Sequence, residues 1–254
     1  MNDFSNLNHE HEKRKPFSKT VGKYLLVTVL ALALVLLLVV WVTLAPAESR
    51  LGNVVKLIYV HGALVWASIL TWFLAAGAGI VGLVRRDAAW HGFSRQLGRV
   101  GLLWWALYIP VSILAANATW ANNSWNLTFL LEPRFRMAFQ MIALMLIAQA
   151  VQFFDNRPST ASITNLAVVV IMVLVMGITE RVLHPPAPIR DTESLRIQLA
   201  FASMTVFLLL GTLFLYLRFG LKHCGQLLQE RANTDSPQSV YTVAYFSRKP
   251  RVLL

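Results

Sequence analysis

The sequence contains very little cysteine and few charged residues. One of its 254 residues is cysteine, Cys224, and 14% are charged. A single thiol excludes an internal disulfide and a paired-cysteine metal site. Gly-rich phosphate-binding loops, internal repeats and the spacing of a helical zinc-protease motif are also missing. Since no nucleophile stands near a general base, we do not expect an enzyme.

Apolar residues, by contrast, are abundant and lie in long runs. They make up 56% of the chain, and about 20 consecutive apolar residues cross a bilayer as a helix. The first run is longer than the roughly 7–15 apolar residues of a signal peptide, so we expect it to be retained. The sequence predicts an all-α integral membrane protein with six transmembrane helices, near 24–45, 55–84, 97–116, 137–154, 162–179 and 197–218.

Lysine and arginine are distributed unevenly between the two sides of these segments. Sixteen of the 23 lie on the side that holds both termini, and because cytoplasmic loops carry the excess, both termini are predicted to be cytoplasmic. We expect a flexible cytoplasmic arm at 1–20, a membrane domain at 21–222 and a cytoplasmic tail at 223–254. Basic residues that face anionic membrane lipid account for the net charge of +11, so no nucleic-acid partner is expected.

Two histidines are predicted on the external side. "KLIYVHGALVW" places His61 inside an apolar helix, where an ionisable side chain is costly without a partner and usually functional. The plain alternative is an interfacial imidazole that bonds a neighbouring carbonyl. His184, in "ERVLHPPAPIR", lies in an external loop and is followed by two prolines that stiffen the chain. His91 and His223 fall on the cytoplasmic side and cannot join this pair.

The external loop at 117–136 and the helix that follows combine aromatic, acidic and basic side chains. They are Trp120, Trp125, Phe129, Glu132, Arg134 and Arg136. Interfacial tryptophans are common, and Glu132 and Pro133 suit the first turn of the fourth helix, but neither explains two arginines on the less basic side. A flat aromatic surface with guanidinium groups at its edge suits a porphyrin, which has an apolar face and anionic propionates. Histidine is a common axial ligand of its iron.

Over about residues 24 to 218, the chain resembles the CcmC/CcsA haem-handling family of cytochrome c maturation. The strongest local match is "IYVHGALVW", which contains His61, and "LH" at 183–184 matches the family's second ligand position. Trp125 fits the first tryptophan of the family's WWD signature, and Glu132 with Arg134 fits its Asp-x-Arg end.

The resemblance implies a haem site in the external loops, with His61 and His184 as the axial ligands of the iron. The haem would be haem b, held non-covalently, because the chain has no Cys-x-x-Cys-His attachment segment. The protein would lie in the cytoplasmic (inner) membrane of a bacterium or archaeon. It would pass haem by ligand exchange to a periplasmic haem chaperone or an apocytochrome c, together with other membrane maturation subunits.

The sequence departs from the family in the surface for haem transfer. Residues 127–131 read LTFLL where the signature has tryptophans, and "TERV" precedes the second histidine. Two alternatives therefore stay open. One is a fixed bis-histidine haem subunit of a membrane electron-transfer complex, although such proteins usually take ligands from neighbouring helices within the bilayer. The other is a small-molecule transporter or scaffold subunit, although the spans carry few polar residues.

Overall fold

The computed structural model describes residues 17–49, 51–120, 128–155, 157–180, 189 and 192–234, which are helical almost throughout. The helices are α1 (Phe17–Leu44), α2 (Val55–Arg85), α3 (Ala88–Trp120), α4 (Pro133–Phe154), α5 (Pro158–Ile178) and α6 (Leu195–Thr234), with a short 3-10 turn at Thr128–Leu131. Within these residues the only β-structure is an isolated bridge between Glu48 and Gly52. The predicted all-α class is confirmed.

The chain divides into two compact units, one that ends at Ala45 and one that begins at Pro46. The first unit contains α1, in which the described apolar stretch, Thr28–Leu44, is shorter than a typical span. The second unit contains α2 to α6, and each of these five helices is long and apolar enough to cross a membrane. The protein is therefore a multi-pass membrane protein, with five of the six predicted spans matched by such helices.

The connection between α2 and α3 is shorter than the sequence predicts. α3 begins at Ala88, whereas the apolar segment begins near 97. Only Arg86 and Asp87 join the two helices, and the Asp87 carboxylate accepts the Ala89 N–H at 2.8 Å. A carboxylate at this position caps a helix start. Hydropathy does not register these polar first turns, which explains the difference.

α6 continues past the end of its apolar segment near 218 and reaches Thr234. Its last turns contain good helix formers such as Gln and Leu, which favour a helix without being apolar. Cys224, which we expected just beyond the last helix, therefore lies within α6, as does His223.

α2 is the most buried of the five helices and packs against α3, α5 and α6. Small residues permit this close packing, as is common between membrane helices. A Cβ atom at Gly79 would lie 3.0 Å from the Ser162 Cα, and one at Gly101 would lie 2.8 Å from the Trp72 indole nitrogen. A larger residue at either position would thus require the neighbouring helix or side chain to shift.

Buried polar bonds fix how the helices face one another. The Ser68 hydroxyl donates to the Gly101 carbonyl at 2.8 Å and joins α2 to α3. The Trp104 indole donates to the Thr212 hydroxyl at 2.7 Å and joins α3 to α6. Because consecutive helices alternate in direction, the starts of α2, α4 and α6 share one end of the unit, which we call the His61 end. The starts of α3 and α5 share the other, which we call the His91 end.

Candidate functional site

His61 lies in the second turn of α2, about 9 Å along the helix from Val55 at ~1.5 Å per residue. Its side chain is half-buried. The imidazole ring contacts the phenol ring of Tyr108 on α3, with ring centroids 5.0 Å apart and planes tilted by 45°. The packing of α2 on α3 therefore restricts the orientation of the imidazole.

Tyr108 is the centre of this contact region. It is 7% exposed, and its ring packs edge-on against Trp105 with centroids 5.2 Å apart. Its hydroxyl shares a hydrogen bond with Ser112 and lies within electrostatic range of the Arg134 guanidinium. Tyr108 thus contacts the predicted iron ligand His61 and lies within electrostatic range of the predicted propionate partner Arg134.

The start of α4 positions Arg134 near α3. Glu132 is the N-cap residue, and its carbonyl accepts the N–H groups of Phe135 at 3.0 Å and Arg136 at 3.2 Å. Pro133 occupies the first turn, where its fixed φ suits a helix. The predicted helix start at Glu132 and Pro133 is confirmed. Glu132 is 1% exposed, whereas Arg136 is exposed.

Two contacts hold the His61 end together. The Trp105 indole donates to the Ala138 carbonyl at 2.9 Å and ties α3 to α4. The Phe201 ring of α6 packs on Gly62, where a Cβ atom would lie 2.7 Å from the ring. Residues beside His61 are therefore in contact with α3 on one flank and α6 on another.

Several predicted site residues lie outside the described part of the chain. This applies to His184 and Trp125 altogether, and to the side chains of Trp120 and Phe129, whose backbones lie in α3 and in the 3-10 turn. The pairing of His61 with His184 therefore stays a prediction. Among the predicted residues whose side chains are described, His61 contacts Tyr108, and Arg134 lies within electrostatic range of the same tyrosine.

Sequence reasoning missed Tyr108. A signal for it exists, since Trp105, Tyr108 and Ser112 are spaced by three and four residues and so share one face of α3. That spacing identifies a face but does not say which helix the face meets. The contact between Tyr108 and His61 is visible only in the tertiary structure.

A second polar cluster lies at the His91 end. His91 is 7% exposed, and its Nδ1 is 2.6 Å from the Ser162 hydroxyl oxygen. Nearby, the Asn165 amide donates to the Ser94 carbonyl at 2.8 Å and accepts from the Gln152 amide at 2.9 Å. These bonds tie α3, α4 and α5 together. They also place His91 at the opposite end from His61, as the sequence predicts.

Among the described residues, no three His, Cys, Asp or Glu side chains gather into a metal-binding group. An axial imidazole does not need such a group, because a porphyrin supplies the remaining ligands of its iron. No protein-family model matches the chain, and a search of curated proteins finds no significant match. The resemblance to the haem-handling family therefore rests on the residues named in the sequence analysis.

Proposed function

We propose that the protein binds haem b non-covalently at the His61 end and handles or delivers it for cytochrome c biogenesis. The observation that carries this proposal is the arrangement of His61, Tyr108 and Arg134. An imidazole held against an aromatic ring, with a guanidinium near the same ring, offers an axial ligand, an apolar contact and a partner for a propionate.

The exposure of these residues fits such a ligand. His61 and Arg134 are half-buried, so packing restricts both side chains while part of each surface stays accessible. Tyr108 is buried and cannot change its rotamer without disturbing Trp105. A site that is fixed before the ligand arrives loses less conformational entropy on binding.

The proposed membrane topology has six spans, with α1 as the first, and both termini in the cytoplasm of a bacterium or archaeon. Basic residues support it, since cytoplasmic ends carry more of them. The described basic residues at the His91 end are Arg85, Arg86, Arg95, Arg99 and Arg157. Those at the His61 end are Lys56, Arg134, Arg136 and Arg196, and the same end carries the acidic residues Glu48, Glu132, Glu180 and Glu193.

Each residue has a defined role in the proposal. His61 and His184 are the axial ligands, Arg134 and Arg136 pair with the propionates, and Glu132 starts α4. The aromatic side chains that contact the porphyrin face are those of Trp120, Trp125 and Phe129. When bound, haem supplies an iron whose axial ligands can exchange. The recipients are a periplasmic haem chaperone or an apocytochrome c, with other membrane maturation subunits as partners.

The absorption spectrum of the purified protein tests the proposal, before and after reduction with dithionite and after titration with haemin. We expect a b-type spectrum at up to one haem per chain. His61→Ala and His184→Ala should each shift the Soret band or lose haem, and added imidazole should partly restore the spectrum. His223→Ala, on the last turns of α6, is the matched control and should keep the wild-type spectrum.

Two outcomes would overturn the proposal or change it. A protein that stays colourless after haemin titration does not bind haem. A protein that binds haem in the wild-type manner but never releases it to an apocytochrome c, with or without a periplasmic chaperone, is a fixed bis-histidine subunit of an electron-transfer complex.

A further inference from the structure

An open groove of about 330 Å³ lies at the His91 end, between the end of α2 and the starts of α3 and α5. It is lined by Leu83, Arg86, Ala88, His91, Pro158 and Ser159. None of these residues belongs to the proposed haem site, which is at the opposite end of the helices. The groove therefore needs an explanation of its own.

Arg86 is held at the groove by an unusual backbone. Among the described residues it is the one non-glycine residue with a positive φ, of 53°. Left-handed backbone is unfavourable for a residue with a Cβ atom, and such strain is often found at functional sites. The N–H groups of Arg86 and Asp87 both bond the Gly82 carbonyl. This turn therefore fixes the position of the Arg86 Cα atom, from which the side chain extends.

His91 supplies a second, buried polar group. The residue is 7% exposed, and a hydrogen bond between Nδ1 and the Ser162 hydroxyl fixes the orientation of its ring. In the tautomer in which Nδ1 accepts this bond, Nε2 carries the proton and can donate to a ligand. Gly82 packs closely against the imidazole, because a Cβ atom at this position would lie 2.8 Å from the His91 Nδ1 atom.

Arg86, His91 and Ser159 together offer the groups that recognise a phosphate. A guanidinium binds phosphate oxygens in pairs, and an imidazole N–H and a hydroxyl add further donors. Pro158 and Ser159 form the first turn of α5, whose positive dipole end also favours an anion. The lining contains no carboxylate.

The groove also has apolar neighbours. Leu83 lines it, and the side chain of the adjacent Val84 on α2 is 77% exposed. Four further arginines lie at the same end, namely Arg85, Arg95, Arg99 and Arg157. A ligand that combines an anionic head with an apolar chain matches these surroundings better than a soluble phosphate does. Basic pockets between membrane helices are known to bind such head groups.

We propose that this groove binds the phosphate group of an anionic phospholipid at the membrane surface. Arg86 and the Nε2 atom of His91 contact the phosphate oxygens, and the acyl chains run along Leu83 and Val84. The bound lipid bridges α2, α3 and α5 at the His91 end, where the buried polar cluster ties α3 to α4 and α5. It thus stabilises the His91 end in a membrane that contains anionic lipid.

The test uses the full-length protein in detergent and counts bound lipids by native mass spectrometry. Dioleoyl phosphatidylglycerol is the anionic probe, and dioleoyl phosphatidylcholine is the neutral comparison. We expect Arg86→Gln to lower the apparent affinity for phosphatidylglycerol about tenfold, which corresponds to the loss of one hydrogen bond to a charged group. Arg85→Gln removes the same charge from the neighbouring exposed position and is the matched control, with an expected change of about threefold or less.

A second variant tests the groove without any change of charge. Ala88→Leu places a larger side chain in the groove and should lower phosphatidylglycerol binding as strongly as Arg86→Gln. Circular dichroism and gel filtration should show that each variant is folded. Millimolar inorganic phosphate should compete only weakly.

The proposal is overturned by any of three results. Equal losses in Arg86→Gln and Arg85→Gln would indicate general surface charge. Full binding in Ala88→Leu would mean that the lipid binds elsewhere. Complete displacement of phosphatidylglycerol by inorganic phosphate would identify the ligand as a soluble phosphate compound instead.

Discussion

The imidazole of His61 and the phenol of Tyr108 lie with their ring centroids 5.0 Å apart, at the interface of α2 and α3. His61 is the seventh residue of α2 and Tyr108 is the twenty-first residue of α3, so each lies more than 20 residues from the connection between the two helices. The contact therefore depends on the antiparallel pairing of the two helices. Any ligand of His61 depends on the same pairing.

Substitutions of Tyr108 test this dependence. Tyr108→Leu removes the ring and should weaken haem binding about fivefold, since an aromatic pair contributes ~1 kcal/mol beyond its buried area. Tyr108→Phe keeps the ring and should stay within about twofold of the wild type. Haemin titration followed at the Soret band measures both. Similar losses in both variants would show that the hydroxyl, rather than the ring, matters to the site.

The two arginines of α4 should differ in their effect on haem. Arg134 is half-buried near Tyr108, whereas Arg136 is exposed. Arg134→Gln should therefore weaken haem binding about tenfold through the lost bond to a propionate, and more at low salt than at high salt. Arg136→Gln serves as the comparison and should change the affinity by about threefold or less. The reverse order would place the propionates on the outer surface of α4.

Reporter fusions test the topology. The basic residues predict that fusions at Asn122 and Pro188 report an external position and that fusions at Asn156 and Ser236 report a cytoplasmic one. Paired alkaline phosphatase and green fluorescent protein fusions measure this directly. An external reading at Ser236 with a cytoplasmic reading at Pro188 would invert the assignment. It would place His61 and His184 on the cytoplasmic side.

Asp155, in the connection between α4 and α5, should make stability depend on pH. Its pKa is lowered, first by the Thr160 hydroxyl, which donates to Oδ2 at 2.7 Å, and next by the Arg157 N–H, which donates to Oδ1 at 3.1 Å. A carboxyl with a lowered folded-state pKa stabilises the protein above its unfolded pKa of about 3.9, and this contribution is lost as the pH falls through the folded pKa.

Asp155→Asn should consequently lower the thermal midpoint at pH 7 and have little effect below about pH 3. Thr160→Val removes the hydroxyl that donates to the Asp155 carboxylate. It should lower the thermal midpoint at pH 7 by part of the same amount. Circular dichroism in detergent at both pH values provides the measurement. If the thermal midpoints of the wild type and Asp155→Asn differ by the same amount at pH 7 and below pH 3, the titration of Asp155 is not the cause of the difference.

Two glycines of α2 offer a matched test of helix packing. Gly79→Ala places a Cβ atom 3.0 Å from the Ser162 backbone and should destabilise the protein by about 1–3 kcal/mol. A Cβ atom at Gly77 has no such neighbour within 4 Å, so Gly77→Ala should be neutral or stabilising by up to about 1 kcal/mol. Thermal unfolding of both variants decides the comparison. A stable Gly79→Ala variant would mean that α5 can move away from α2.

The sequence predicts the parts of the fold that depend on local composition. Long apolar runs identify α2 to α6, and the pair Glu132 and Pro133 correctly marks the start of α4. The start of α3 was not found, because its first turns are polar and their cap depends on a single carboxylate, Asp87. Hydropathy carries no information about such a cap.

The candidate site could be predicted only in part for a related reason. His61 stands out because an imidazole is rare in an apolar helix, and Arg134 stands out because it lies on the less basic side. Tyr108 does not stand out, since a tyrosine in a membrane helix is ordinary. Its importance comes from the helix it meets. Helix pairing depends on close contacts between helices, such as those at Gly79 and Gly101, which the sequence pattern does not reveal.

The two-residue connection at Arg86 and Asp87 has a consequence for how the protein enters the membrane. Two residues reach only about 7 Å when extended, whereas the hydrocarbon layer is about 30 Å thick. The end of α2 and the start of α3 therefore stay at the same membrane surface at every stage of insertion. Each helix limits how far the other can move across the bilayer. Lengthening this connection would uncouple the two helices during insertion, even where the finished fold tolerates extra residues.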